Sequence, residues 1–344
     1  MKEPKTFKRR FEGIKFLYVD DEPDNLESFE LNFENQFEIV TSSSPVEALE
    51  IVRKESNLSV LVVDQVMPRM TGVQLAAESK KIRPTLTCIM ITGNATKKLA
   101  IEAVRGRLFW EFLEKPVNFS APDVRQIFVS AVQEHLLEKV KTEYHVGTIG
   151  VLAQLIDDKD GHTHAHSGRV TKWSLKIARK FDLSEKELVM IREGSLLHDI
   201  GKISIPDDIL KKPGRLTELE RKIIMTHPGR GGDLLEKVPQ LKELAPIARY
   251  HHERPDGKGY PSGLKSEEIP LLASIVALAD FFEALSSKRP YKEPWHIDDI
   301  VKEVASLRGT QFVEEVVDAL FIVLEEEGLI KRERITEICS AIAA

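Results

Sequence analysis

Along the first third of the chain, short unbroken apolar runs alternate with segments whose apolar residues recur every three or four positions. Residues 14–19, Ile-Lys-Phe-Leu-Tyr-Val, read as a buried strand ending at Asp20-Asp21-Glu22. Runs at 37–41, 60–63, 86–91 and 109–113 read as four more strands. The third strand ends at Asp64, the fourth at Thr92-Gly93 and the fifth at Lys115-Pro116. Helical spacing at 25–33, 46–53 and 73–80 separates several of them. Apolar strands alternating with helices predict a parallel sheet covered on both faces. Such sheets place their sites at the carboxyl ends of the strands, where Asp20, Asp21, Asp64, Thr92 and Lys115 fall.

Beyond the fifth strand the period lengthens. Val124, Ile127, Phe128, Ala131, Val132, Leu136 and Val140 form one helical stripe, expected to run on toward Tyr144. Gly147 and Gly150 are weak points where that helix could bend. A passive linker and a two-helix coil holding a homodimer are both open readings. From Val151 onward only helical spacing occurs, with loops at Pro206, Pro213-Gly214, Pro228-Gly229 and 255–263. The longest apolar stretch, 269–285, holds Asp280 and Glu283, so no transmembrane helix is expected. The expected architecture is therefore a five-stranded parallel doubly wound α/β domain over 12–135, a connecting helix over 120–148, and an all-α domain over 149–344.

Composition narrows the class. Hydrophobic content of 42% and charged content of 30% over 344 residues suit two globular domains. A net charge of −6 argues against a broad DNA-binding face. Cys88 and Cys339 lie far apart without a CxxC pair, and the polar, basic first ten residues lack a signal-peptide core. A reducing, cytoplasmic setting is the expectation.

The polar residues that interrupt apolar runs carry the chemistry. Leu196-Leu197-His198-Asp199-Ile200-Gly201-Lys202 places a histidine and an acid side by side in apolar surroundings. A buried unpaired carboxylate costs several kcal/mol, so such a group is paired or binds a metal. On this heptad alone, a buried His-Asp pair with a snorkelling lysine is as good a reading as a metal site. Seven of the ten histidines, however, fall between His162 and His252: these two with His164, His166, His198, His227 and His251. Asp280 closes a further apolar run. Together they suggest a metal site assembled from several helices. His162 and His166 are four apart and share a helix face, whereas adjacent His251 and His252 would diverge and could serve two metals.

At the other end of the chain, acids converging at one sheet edge would repel unless a cation such as Mg²⁺ neutralised them. Residues 14–135, with the run Asp64-Gln65-Val66-Met67-Pro68-Arg69-Met70-Thr71-Gly72, resemble the receiver domain of two-component response regulators. The resemblance implies Asp64 as phosphoacceptor, and Asp20 and Asp21 with Asp64 as the Mg²⁺ site. It further implies Thr92 and Lys115 as phosphoryl-sensing groups, Phe112 as an aromatic switch, and a sensor histidine kinase as partner. The basic Arg105-Gly106-Arg107 has no explanation in this pattern.

His198-Asp199 and Gly259-Tyr260-Pro261, within about 145–340, resemble the HD-GYP family of cyclic di-GMP phosphodiesterases, metallohydrolases of the HD type. The resemblance implies His166, His198, Asp199, His227, His251, His252 and Asp280 as ligands of two divalent ions, iron or manganese, with Asp199 bridging. It implies Asp199 and Lys202 as the catalytic pair, with Lys202 beside the attacking water. Tyr260, Arg289 and Lys292 would line the substrate site. Two departures stand out. His162 occupies a place where some members bind a third metal through glutamate, and Glu283 stands where aspartate is usual near the substrate base. The implied reaction opens cyclic di-GMP to pGpG, and a second cut gives GMP. Phosphorylation of Asp64 would modulate it, by analogy through activation. Two rivals are a hydrolase for another cyclic dinucleotide, 3′,3′-cyclic GMP-AMP, and a catalytically silent nucleotide-binding adaptor.

Overall fold

The computed structural model describes residues 11, 13–93, 108–160, 166–288 and 293–343. The chain divides into two compact units between His145 and Val146. In the first unit the strands are β1 (Lys15–Val19), β2 (Glu38–Ser42), β3 (Leu58–Asp64), β4 (Thr87–Thr92) and β5 (Glu111–Glu114). They form one parallel sheet in the order β2-β1-β3-β4-β5. Helices α1 (Pro23–Phe33), α2 (Pro45–Lys54) and α3 (Gly72–Ile82) connect them. All residues of β1, β3 and β4 are buried, as expected of strands covered on both faces.

The two faces differ in chemistry because side chains alternate along a strand. Phe16 and Tyr18 point into an aromatic layer with Phe29, Phe33, Phe119 and Phe128, while Leu17 and Val19 join the aliphatic layer with Leu61, Val63 and Met90. The strand order reverses between β1 and β3, the switch point where open parallel sheets bind ligands. Asp20 and Asp64 stand at the ends of those two strands.

α4 (Pro122–Asp160) is a single helix of 39 residues. Phe128, Ala131 and Val132 of the expected stripe are buried, but Leu136 and Val140 are largely exposed. The helix does not break at Gly147 or Gly150. Each glycine costs about 1 kcal/mol in a helix interior, and burial of Ile149, Ala153 and Ile156 offsets it.

The second unit is helical: α5 (His166–Ala178), α6 (Glu185–Leu197), a 3-10 turn (Ile200–Ser204), α7 (Asp207–Leu210), α8 (Glu218–Ile224), α9 (His227–Glu236), α10 (Ala245–Tyr250), α11 (Leu271–Ser286), α12 (Ile297–Ser306), α13 (Glu314–Glu326) and α14 (Arg332–Ala343). α11 is its centre, with Ile275, Val276, Leu278, Ala279 and Phe282 buried nearly all round. Val170 and Ile177 of α5, Ile247 of α10, and Val317 and Leu320 of α13 belong to the same core. A smaller core joins Ile149 and Ile156 to Leu197, Ile200, Leu235 and Ala248.

Candidate metal centre and phosphoacceptor site

In the first unit, Asp20 is fully buried and held by the Tyr18 hydroxyl at 2.8 Å, the Glu22 N–H at 3.0 Å and the Asn25 amide. Lys115 Nζ lies 3.2 Å from Asp20 Oδ2 and 3.0 Å from Asp64 Oδ1. Burial raises the Asp64 carboxyl above its usual range, against the pull of Lys115. Thr92 ends β4 and is buried, Asp21 is exposed beside Asp20, and Phe112 packs at the edge of the aliphatic layer. Asp20, Asp64 and Lys115 thus converge, and can hold a hard cation and a phosphoryl group together.

In the second unit, three histidines share one local device. The Nδ1 of His198 donates to the Ser195 carbonyl at 2.8 Å, that of His227 to Ile224 at 2.8 Å, and that of His251 to Ala248 at 2.9 Å. Carbonyls only accept, so Nδ1 carries the proton and Nε2 keeps its lone pair. Among the described residues, all three Nε2 atoms are buried without a hydrogen bond, as is Oδ1 of Asp199. His227 Nε2 comes within 3.1 Å of that oxygen, but is not aligned to bond it.

These orphaned atoms form two groups. Donors from Asp199, His227, His251 and His252 lie within 4.8 Å of one another, and so do donors from His166, His198 and Asp199. Asp199 belongs to both. His251 and His252 face one group rather than two, because α10 ends at Tyr250 and both stand in the turn that follows. Asp280 Oδ1 lies 3.3 Å from His166 Nε2. Imidazole lone pairs and carboxylates in this arrangement fit divalent transition ions.

Electrostatics point the same way. Burial opposes charge on Asp199, but Lys202 and His198 hold it well below the usual carboxylate range. Burial and the neighbouring His252 push His251 well below its ordinary value, and burial pushes His252 to about 3. Burial would lower His166 too, but Asp280 and Glu283 prevail and hold it at about 10. A divalent ion at the same place would take over the role of that proton.

Gly201 makes the centre possible. A Cβ there would lie 1.9 Å from the His227 carbonyl oxygen and 2.6 Å from the Gly231 nitrogen, so only glycine lets the motif turn pack onto α9. Lys202 Nζ bonds Asp199 Oδ2 and Asp160 Oδ2, each at 2.7 Å. Tyr260 stacks on His252, with ring centroids 4.8 Å apart and planes at 21°. Its N–H donates to the His252 carbonyl at 3.2 Å. His251, His252, Tyr260 and Asp280 all line a cavity of about 310 Å³.

Glu283, expected near the substrate base, stands beside His166. It is buried, and its carboxylate accepts from His166 Nδ1 at 2.7 Å and from Arg169 Nε at 2.6 Å. Its side chain reaches across to α5, where these two bonds fix the His166 ring. His162, Arg289 and Lys292 lie outside the described residues. Sequence reading missed Glu253. This buried carboxylate accepts the N–H groups of Ser262, Gly263 and Leu264 at 2.6, 3.2 and 2.9 Å. Its place directly after His251-His252 was the available signal. Asp160 and Arg169 had none.

Comparison with known proteins follows the same division. Residues 16–127 match the response regulator receiver domain and 150–312 match the HD domain. A cyclic di-GMP phosphodiesterase of Thermotoga maritima is 34% identical over 316 residues, 85% of this chain and 84% of that protein. The cyclic di-GMP phosphodiesterase response regulator RpfG of Xanthomonas campestris pv. campestris is 33% identical over 334 residues, 90% of this chain and 87% of that protein. A 3′3′-cGAMP-specific phosphodiesterase 2 of Vibrio cholerae is 39% identical over 171 residues, 49% of this chain and 33% of that protein.

Proposed function

The chain belongs to the response regulators that join a receiver domain to an HD domain of the HD-GYP kind, and on that premise we propose that its second unit hydrolyses cyclic di-GMP. The observation that carries this reading is the membership of Asp199 in both donor groups. His227, His251 and His252 would hold one divalent ion, and His166, His198 and Asp280 the other, with Asp199 shared. Iron or manganese suits these ligands. Two such ions, when bound, activate a water and neutralise charge in an in-line displacement at phosphorus.

The protein's own groups would do the rest. The Nδ1–carbonyl bonds fix each imidazole before any ion arrives, and Glu283 does the same for His166. Lys202 holds Asp199 ionised and would stand beside the attacking water. Tyr260, stacked on His252, shapes the pocket that receives a nucleotide. Arg289 and Lys292 would hold phosphate oxygens. The product would be pGpG, with GMP after a second cut. Asp64 would take a phosphoryl group from a sensor histidine kinase, with Mg²⁺ at Asp20, Asp21 and Asp64.

The test is anaerobic purification with elemental analysis, then product chromatography. We expect Asp199→Ala to abolish turnover and to lower metal content. Near-normal activity with unchanged metal would remove the assignment. Preference for 3′,3′-cyclic GMP-AMP in direct competition would favour the second substrate, and metal-loaded protein without turnover of either would favour an adaptor.

A further inference from the structure

The cavity beside the candidate metal centre carries more positive charge than its own acids use. Three cations outside the donor groups line it: Arg221 from α8, Arg254 and Lys258. Arg254 is neutralised, with its Nε 3.0 Å from Asp256 Oδ1 and its Nη2 2.7 Å from Asp256 Oδ2. The side chains of Arg221 and Lys258 make no hydrogen bond or ion pair among the described residues. The acids on the same wall are committed elsewhere, Glu253 to the loop N–H groups and Asp280 to His166. Arg221 lines the same cavity as Tyr260.

Size adds a second argument. About 310 Å³ is at the low end for a pocket that takes a small molecule. A cyclic dinucleotide is larger than that, so one half must lie at the rim, where Arg221 and Lys258 are exposed. Such a ligand also has two phosphodiester charges, and only one can occupy the reacting position.

We propose that Arg221 and Lys258 bind the second, non-reacting phosphodiester of a cyclic dinucleotide and so select two-phosphate substrates over simple diesters. The proposal rests on the cyclic-dinucleotide reading above. Arginine offers planar paired donors to phosphate oxygens and lysine a mobile point charge, and the two cations together form a clamp at the rim.

The experiment compares cyclic di-GMP with bis(p-nitrophenyl) phosphate, which has one phosphodiester, on metal-loaded full-length protein. We expect the double variant Arg221→Ala/Lys258→Ala to raise the KM ratio of the two substrates about tenfold, the factor that about 1.4 kcal/mol of lost binding gives. Arg221→Lys should recover part of it, and raising salt should erode the wild-type preference. An unchanged ratio, or equal KM increases on both substrates, overturns the clamp. A wild type that cleaves the small diester but not cyclic di-GMP overturns the substrate assignment alone. The same ratio measured with 3′,3′-cyclic GMP-AMP, which has the same two phosphates, then decides the clamp.

Discussion

The ammonium of Lys202 sits 2.7 Å from Oδ2 of Asp199. The same Nζ reaches Asp160 Oδ2, also at 2.7 Å, and all three side chains are largely buried. One cation is therefore shared by two acids. Lys202→Met would remove the cation that both carboxylates share, and breaking a buried pair this way costs about 3–5 kcal/mol. We expect a lower melting temperature and little turnover. Adding Asp160→Asn should restore much of the stability but not the rate. Thermal melts beside product chromatography separate the two effects, and full activity in Lys202→Met would take the lysine out of the reaction.

Gly201→Ala tests the backbone contact under the metal centre. The added methyl would meet the His227 carbonyl at 1.9 Å, and backbone cannot yield as a flexible side chain can. Overpacking of this kind costs about 1–3 kcal/mol or more. His227 should shift, and elemental analysis should find less metal per chain in protein that still folds. Wild-type metal content would show that the turn can relax.

Glu253→Ala removes the acceptor for three loop N–H groups. Hydrogen bonds to a charged group contribute about 1.5–3 kcal/mol each, so the loop should lose its shape. Tyr260 would then leave His252. We expect a raised KM with metal content retained, since Glu253 belongs to neither donor group. Metal loss in this variant would instead make the carboxylate part of the centre's support.

Control by the first unit is tested with beryllofluoride, in wild type and in Asp64→Asn. Coupling between sites is typically about 1–3 kcal/mol, so we expect a several-fold to hundredfold rise in phosphodiesterase rate for wild type only. Equal rates in all four conditions, with phosphorylation of wild type by a phosphoryl donor in parallel confirmed by mass and giving the same rate, would assign the receiver to recruitment rather than gating.

Much of this was legible in residue order because the relevant signals are local. β1, β3 and β4 are buried on both faces, so their apolar runs are unbroken and the acids at their ends stand out. His198-Asp199 and His251-His252 are visible for the same reason. What could not be read depends on contacts across distant chain. Glu283 meets His166 across 117 residues and Lys202 meets Asp160 across 42. Neither spacing follows a helix or strand period. Gly147 and Gly150 mark places where the helix could bend, and it stays whole there because the packing of Ile149 and Ile156 overrides their local propensity.

Asp160, the acid that holds Lys202, is the last residue of α4. Within the second unit that last turn works as a latch: its carboxylate holds the ammonium that in turn holds the shared aspartate, so any shift of the turn would change the distance from Asp160 to Lys202 and with it the charge beside Asp199.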